Sequence, residues 1–342
     1  WDVVMVTVRP GGALSKNLDG LQHEVLGGWR LSRSKELVLS VPALRCFLNA
    51  LAPDVILSAG NHAHFALLVA TTGALSRRTV YRFSNDLTHE DAKGRRGTCF
   101  RRIVAKLIAK RAARLVLVSE KLASDPILAP HVASGKAAVI PNGVDVALVR
   151  SKGEEAGGHV WLKRDVPIVL GVGRLVPQKN FGLLLEAFAL AQRERDMRLM
   201  IVGEGKRDYR EALEAQGVRL GIADVLCFTG AVDNPYPYFR AASVLVIPSL
   251  WEGSPNVLLE ALASGTPVVA SRTAGNAVGI LDNGQYGVLT GASDIAAISS
   301  GILQQIDPDT RIEPRDRAKA FDRSQAFVAY QTVFEGLLQS AS

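Results

Sequence analysis

The 342 residues are 48% hydrophobic with a formal net charge of +7, which supplies apolar material for two cores and excludes a disordered chain. Three widely spaced cysteines, Cys46, Cys99 and Cys227, form no CxxC pair and read as reduced residues of a cytosolic protein, not as a disulfide framework or metal site. The sequence contains no uninterrupted apolar run of bilayer-spanning length and no signal pattern of basic start and apolar middle.

The first half repeats one grammar of apolar strand and helical stretch: VVMVTV (3–8), DVILSAG (54–60), TVYRF (79–83), LVLVS (115–119) and AVIPNG (138–143). Gly153 to His159 is a glycine-rich, polar break and the expected linker. The second half continues with a strand at 167–173, a helix at 181–195 and a strand at 199–203. A helix at 206–220, a strand at 225–230 and a short helix at 234–242 follow. A strand at 244–249, a helix at 256–264 and a strand at 266–271 come next, and a terminal helix spans Ser324 to Leu338. Apolar strands interleaved with helices predict parallel sheets covered on both faces. Two such sheets joined near residue 155 would face each other across a cleft at their strand carboxyl ends, where ligands bind. Charge divides along the same line. Residues 1–150 hold 21 Lys and Arg against 11 Asp and Glu, net +10, and residues 151–342 hold 19 against 22, net −3. The first half therefore expects an anionic surface or substrate.

Two acids mark the strongest functional segment. Glu252 follows a strand in a Gly/Pro-marked loop, and Glu260 lies in the apolar run Val257-Leu258-Leu259-Glu260-Ala261-Leu262. A carboxylate in such surroundings costs several kcal/mol unless something hydrogen-bonds it, and sugar or ribose hydroxyls are suitable partners. Arg174 and Lys179 sit in a loop between a strand and a helix, where cations and free N–H groups hold phosphate oxygens. Read singly, these four side chains are solvated loop charges or salt-bridge partners. Gly203-Glu204-Gly205 closes a strand and opens a helix, a weak signal by itself.

Taken together, GVGRLVPQKNF (171–181), IVGEG (201–205), FTGAV (228–232) and PSLWEGSPNVLLEALASGTPVVAS (248–271) resemble the second domain of retaining glycosyltransferases of the glycosyltransferase-4 family. LVLVSEKL (115–122) and IPNGVD (140–145) resemble its first domain more loosely. The resemblance implies an α/β GT-B fold of two Rossmann-like parallel-sheet domains facing across a cleft. It places the acceptor-side domain at 1–155, the nucleotide-sugar domain at 156–323, and a helix at 324–342 that returns to the first domain. It also implies sugar transfer from a nucleotide-sugar, with retention and without a metal ion or other cofactor. Arg174 and Lys179 would hold the diphosphate. Glu252 would meet hydroxyls of the transferred sugar, with backbone amides of Gly253, Ser254, Asn256 and Val257 assisting. Glu260 would take the ribose hydroxyls, Gly203 would let the donor approach, and Ala231 and Val232 would bind the base through their backbone. A UDP-sugar is expected ahead of a GDP-sugar, with a hexosyl or N-acetylhexosaminyl group transferred to a glycan or lipid-linked acceptor in cell-surface polysaccharide synthesis.

The first domain departs from the family pattern. Where many relatives place a histidine at a strand end, TVYRFSNDL carries Ser84, Asn85 and Asp86; Asn85 or Asp86 would take over a polar contact, or the equivalence fails. His62 and His64 follow another strand end and are secondary candidates, and Asn142 reads as a turn former. By the same resemblance the sequence opens on the counterpart of the family's second strand, so the family's first strand and Gly-Gly loop are not expected within it, and Gly11-Gly12, after strand 3–8, is not read as that loop. The stretch 93–114 is a basic amphipathic helix, suited to anionic lipid or, alternatively, packed with its apolar stripe in the core. The residues interleaved there (Ile103, Val104, Leu107, Ile108) are aliphatic, so nucleic acid is not an expected partner. Asp307-Pro308-Asp309 is read as a turn rather than a metal motif. The expected location is cytoplasmic, peripheral on the inner face of the membrane. The competing readings are a GT-B sugar-nucleotide epimerase and a non-catalytic sugar-nucleotide binding protein.

Overall fold

A computed structural model of the chain describes residues 1–10, 20–27, 32–87, 94–163, 166–314 and 316–339. It divides into two compact units. Trp1–Leu117, Ser124–Ala138 and Gln331–Ser342 form the first, and Val118–Ala123 and Val139–Tyr330 the second.

In the first unit, β1 (Val4–Thr7) and β2 (Gln22–Val25) pair in parallel as a two-stranded ribbon. A separate sheet has the order β3 (Ile56–Ser58), β4 (Thr79–Phe83), β5 (Arg114–Leu117) and β6 (Ala137–Val139). Val80, Tyr81, Phe83 and Leu115 to Leu117 are fully enclosed, because strands covered on both faces read as continuous apolar runs. Helix His64–Ala70 meets β4 through the His64 ring, which lies against Tyr81 and Phe83, and helix Gly94–Arg111 leads into β5.

The second unit carries six strands: β7 (Ile168–Val172), β8 (Arg198–Val202), β9 (Leu226–Gly230), β10 (Val244–Ile247), β11 (Val268–Ser271) and β12 (Val288–Thr290). Their spatial order is β12-β11-β10-β7-β8-β9, paired in parallel. Alternate residues of one strand serve opposite cores, as the two-residue repeat requires. Ile168 and Leu170 pack with Leu258, Leu259 and Leu262 of helix Asn256–Ser264. Val169 packs with Leu184 and Phe188 of helix Phe181–Ala191 and Ile302 of helix Ile295–Ile306. Each such aliphatic or aromatic side chain contributes about 1.5–3 kcal/mol by leaving water.

The strands expected in the second half all form, and helix Asn256–Ser264 matches its expected span. β2, β12 and helices Val146–Gly153 and Ile295–Ile306 were not foreseen. Both helices start on an aspartate whose carboxylate accepts a first-turn amide, Asp145 from Leu148 at 2.9 Å and Asp294 from Ala297 at 2.9 Å. The glycine-rich stretch expected as a linker lies inside the second unit. Asn234 ties it down, donating to Lys152 O at 2.9 Å and to the Glu155 carboxylate at 2.8 Å. The terminal helix runs Arg323–Gln339, with its residues from Gln331 onward counted in the first unit. There Phe334 meets Trp1 edge-on at 5.8 Å.

Candidate functional site

Strand order reverses between β7 and β10: β8 and β9 extend to one side of β7, and β10 to β12 to the other. The helices that follow β7 and β10 therefore pack on opposite faces of the sheet, and such a switch point is the position where open α/β sheets bind ligands. Three glycines build the floor on the β8 side. The Gly173 N–H donates to Val202 O at 2.9 Å and the Gly203 N–H to Gly230 O at 2.9 Å, extending the pairing of β7, β8 and β9 past their ends. Gly203 has φ +141°, and a Cβ there would lie 2.0 Å from Gly173 O. Only glycine allows these backbones so close. Gly173, at φ +146°, passes beneath the Lys179 side chain, whose Cε would be 2.9 Å from an added Cβ.

Lys179 and Glu252, 73 positions apart, meet across the switch point with Nζ 2.5 Å from Oε1. Their side chains are only 14% and 13% exposed, and the Ser249 hydroxyl donates to the same carboxylate oxygen at 3.1 Å. The two loops are stitched together around this pair. Leu250 N–H donates to Gln178 O at 2.9 Å, and the Gln178 amide to Trp251 O at 2.8 Å. The Asn180 amide reaches Pro248 O at 3.3 Å and Ala292 O at 3.2 Å from a left-handed backbone, φ 54°. From the β11 side, Ser271 and Thr273 hydroxyls both donate to Ser249 O, at 2.6 and 2.8 Å. Arg174, in contrast, is exposed and has no ion-pair partner among the described residues. The loops at the switch point thus carry one neutralised lysine and one uncommitted arginine.

The β10 loop continues into helix Asn256–Ser264, whose N-cap is Pro255 and whose first turn has no side-chain cap. Its leading amides are therefore open to an external acceptor. Gly253 is buried, Ser254 and Val257 half-buried, and Asn256 exposed. The Ser254 hydroxyl is enclosed and has no hydrogen-bond partner among the described residues. Asn142, expected only as a turn former, braces this loop instead: its amide donates to Asn256 Oδ1 at 2.6 Å and Ser254 O at 3.3 Å. Glu260 sits one turn further along. Burial pushes its carboxyl above the usual range, and no side chain among the described residues hydrogen-bonds it. Its charge in turn helps burial raise the Tyr236 phenol. Beyond β9, Ala231 is exposed, while Val232 packs against the core beneath β7 and β10.

The first unit treats its candidates differently. His64 does not face a crevice: it is 3% exposed, hydrogen-bonded through Nδ1 to the Ser58 hydroxyl at 2.7 Å and through Nε2 to Arg82 O at 3.1 Å. Tyr81 and Phe83 pack edge-on against its ring, each at 5.4 Å. Burial, then the nearby Arg82 and His62 charges, lower its pKa to about 4 against the backbone bond that raises it, so it is a neutral core residue at neutral pH. Asn85 is exposed and Asp86 half-buried just past β4, where Ser84 is held by Asn61 through N–H and hydroxyl bonds of 3.2 and 3.3 Å. Asp307 and Asp309 form a turn in which the Asp307 carboxylate accepts the Asp309 N–H at 3.1 Å. Gly11 and Gly12 lie outside the described residues. Sequence reasoning missed Ser249, Gln178, Asn180 and Asn142 as the braces of the site; Asn180 alone carried a signal, as a polar residue tolerant of left-handed backbone at a helix start.

Comparison with known proteins fits this division. Residues 1–148 match the family described as Glycosyltransferase Family 4, and residues 166–307 match Glycosyl transferases group 1. The chain is 36% identical over 186 residues to D-inositol 3-phosphate glycosyltransferase of Acidothermus cellulolyticus, covering 51% of this chain and 41% of that one. It is 28% identical over 193 residues to N-acetylgalactosamine-N,N'-diacetylbacillosaminyl-diphospho-undecaprenol 4-alpha-N-acetylgalactosaminyltransferase of Campylobacter jejuni, covering 55% and 50%. The chain spans about half the length of these relatives. Anabaena HepE, solved in complex with UDP and glucose, superposes with TM-score 0.77 at 20% identity, covering 98% of this chain and 99% of that one.

Proposed function

The chain belongs to glycosyltransferase family 4 and has the GT-B fold, and on that premise we propose that it transfers a sugar from a nucleotide-sugar to a glycan or lipid-linked acceptor, retaining the anomeric configuration and using no metal ion. The observation that carries this reading is the Lys179–Glu252 pair at the strand-order reversal, beside the uncommitted Arg174.

An incoming diphosphate brings two or more negative charges to a rim already offering one free guanidinium. It competes with Glu252 for the Lys179 ammonium, and the exchange frees the Glu252 carboxylate to accept sugar hydroxyl bonds. Binding and alignment are thereby one event, because the residue that releases the lysine is the one that then grips the sugar. In the reaction the anomeric carbon–oxygen bond to the β-phosphate breaks, and the acceptor hydroxyl oxygen bonds to that carbon from the same face. The hydroxyl proton passes to the departing phosphate oxygen. Arg174 and Lys179 stabilise the charge that grows on the leaving group, the role a divalent cation plays elsewhere, worth about 3–4 kcal/mol for one well-placed donor.

Glu260 accepts the two ribose hydroxyls, which replace the water it lost on burial. The Gly203 turn admits the phosphates, the open amides from Gly253 to Val257 line the sugar end, and the backbone of Ala231 and Val232 meets the base. A UDP-sugar is the favoured donor, supported by the UDP complex of the similarly folded HepE. The lipid-linked acceptor is supported by the diphospho-undecaprenol named for the Campylobacter relative.

The test is a thermal-shift panel of UDP-, GDP- and ADP-sugars on the full chain, followed by transfer assays with product anomers assigned by NMR. Stabilisation by UDP-sugars and a retained anomer are the expected results. No stabilisation by any nucleotide-sugar overturns it, and nucleotide released from the sugar without acceptor indicates an epimerase.

A further inference from the structure

Helix Gly94–Arg111 buries one face and leaves a second apolar face uncovered. Ala105, Ile108, Ala109 and Ala112 point into the first unit's core, at 1–3% exposure. Phe100, Ile103 and Leu107 stand on the opposite side, at 55%, 53% and 42% exposure. Their spacing of three and four residues aligns them in one stripe along the helix. The neighbouring helix His64–Ala70 continues the stripe sideways: Phe65 and Val69 are 38% and 44% exposed, and the Phe65 and Phe100 rings lie 5.7 Å apart. Five large apolar side chains on two helices thus share one outward surface. Isolated exposed apolar residues need no explanation, but a contiguous group marks an interaction surface.

The charge around this stripe identifies the partner. Lys106, Lys110 and Arg111 are exposed beside it on the same helix, and no acidic residue occurs anywhere from Gly94 to Arg111. Arg102, on the inner flank, already has a partner in Asp125 at 3.2 Å. An apolar stripe edged by unopposed cations is the pattern of a helix lying in the headgroup region of an anionic bilayer, side chains in the acyl boundary and ammonium groups among the phosphates. A nucleic acid would use the cations but leave Val69, Ile103 and Leu107 against water, and a second copy of the chain would oppose like charges.

We propose that this two-helix face docks the protein onto anionic lipid bilayers, with Phe65, Val69, Phe100, Ile103 and Leu107 inserting and Lys106, Lys110 and Arg111 meeting lipid phosphates. The proposal is independent of the transfer reaction, and its test reads no activity. The full chain is sedimented with phosphatidylcholine vesicles with and without phosphatidylglycerol, at low and high salt. It binds the anionic vesicles, and binding weakens as salt rises. At about 1 kcal/mol per cation near the surface, Lys106→Glu with Lys110→Glu lowers the partition coefficient at least about tenfold. Ile103→Ser with Leu107→Ser lowers it comparably, while an unchanged circular dichroism spectrum shows that the variant keeps its fold. Equal or absent binding to the two vesicle types overturns the proposal. So does anionic binding that the serine variant leaves intact, a salt-resistant dimer that the serine variant dissolves in the absence of vesicle binding, or binding of an oligonucleotide but not of vesicles.

Discussion

The strand carboxyl ends of the two units use polar residues in opposite ways. In the second unit, side-chain amide bonds from Gln178 and Asn180 and hydroxyl bonds from Ser271 and Thr273 fasten one loop to the next, and the charged groups Lys179, Glu252 and Arg174 are left at the rim. In the first unit, the strand-end histidine is spent on the core, sealed by Ser58, Arg82, Tyr81 and Phe83. A residue type that suggests chemistry is therefore informative only with its bracing: loops that stitch to each other leave their charged side chains available to a ligand, whereas a side chain satisfied by its own core is not.

That contrast breaks first at Lys179. Lys179→Ala should lower the rate of sugar transfer about a hundredfold or more, the usual loss for one leaving-group donor, and also lower the melting temperature, because it leaves the Glu252 carboxylate unpaired at 13% exposure; an intact rate in the folded variant would remove the lysine from the chemistry. Gly203→Ala comes next. Its Cβ has nowhere to go beside Gly173 O, so the β7–β8 rim must shift at a cost of about 3 kcal/mol, read from the urea midpoint and accompanied by loss of nucleotide-dependent stabilisation.

His64 tests the other side of the comparison. Its folded pKa of about 4 lies below the ordinary value of 6.5, so the unfolded chain takes up a proton that the folded chain refuses. The stability it protects is complete above pH 6.5 and declines as pH falls toward 4, by up to about 3 kcal/mol. His64→Gln should flatten that part of the stability–pH curve without altering nucleotide binding. A drop in nucleotide affinity would show that His64 serves the ligand after all. The smallest effect is expected at Asn142, whose amide braces the loop before helix Asn256–Ser264. Asn142→Ala should cost about 1 kcal/mol of stability and raise KM for the donor more than it lowers kcat.

Much of the second unit was legible from sequence because its strands are enclosed on both faces, and a run such as Val244 to Ile247 has no other reading. β2 was invisible for the converse reason: Gln-His-Glu-Val has no apolar run, and its strand exists only through pairing with β1. The types of site residue were legible in the loops around Arg174 and Glu252, but not the contact that joins Lys179 to Glu252, which arises from adjacent strand ends far apart in sequence. The same holds for Asn142, which reads locally as a turn and acts at a loop 112 positions away. For the basic helix, the pattern showed amphipathicity but not its orientation. Ile108 went to the core beside the buried Ala105 and Ala109, and Ile103 and Leu107 to the surface.

The central claim is that the two glutamates divide the donor between them, Glu260 taking the ribose and Glu252 the sugar. Calorimetric titration of the full chain with UDP and with a UDP-sugar, in wild type, Glu260→Ala and Glu252→Gln, tests it most directly. Glu260→Ala should weaken both ligands at least about tenfold, as expected for lost hydrogen bonds to a charged group. Glu252→Gln should bind UDP no more weakly than wild type yet lose the extra affinity for the UDP-sugar. Unchanged UDP affinity in Glu260→Ala, or equal losses of UDP and UDP-sugar in Glu252→Gln, would contradict it.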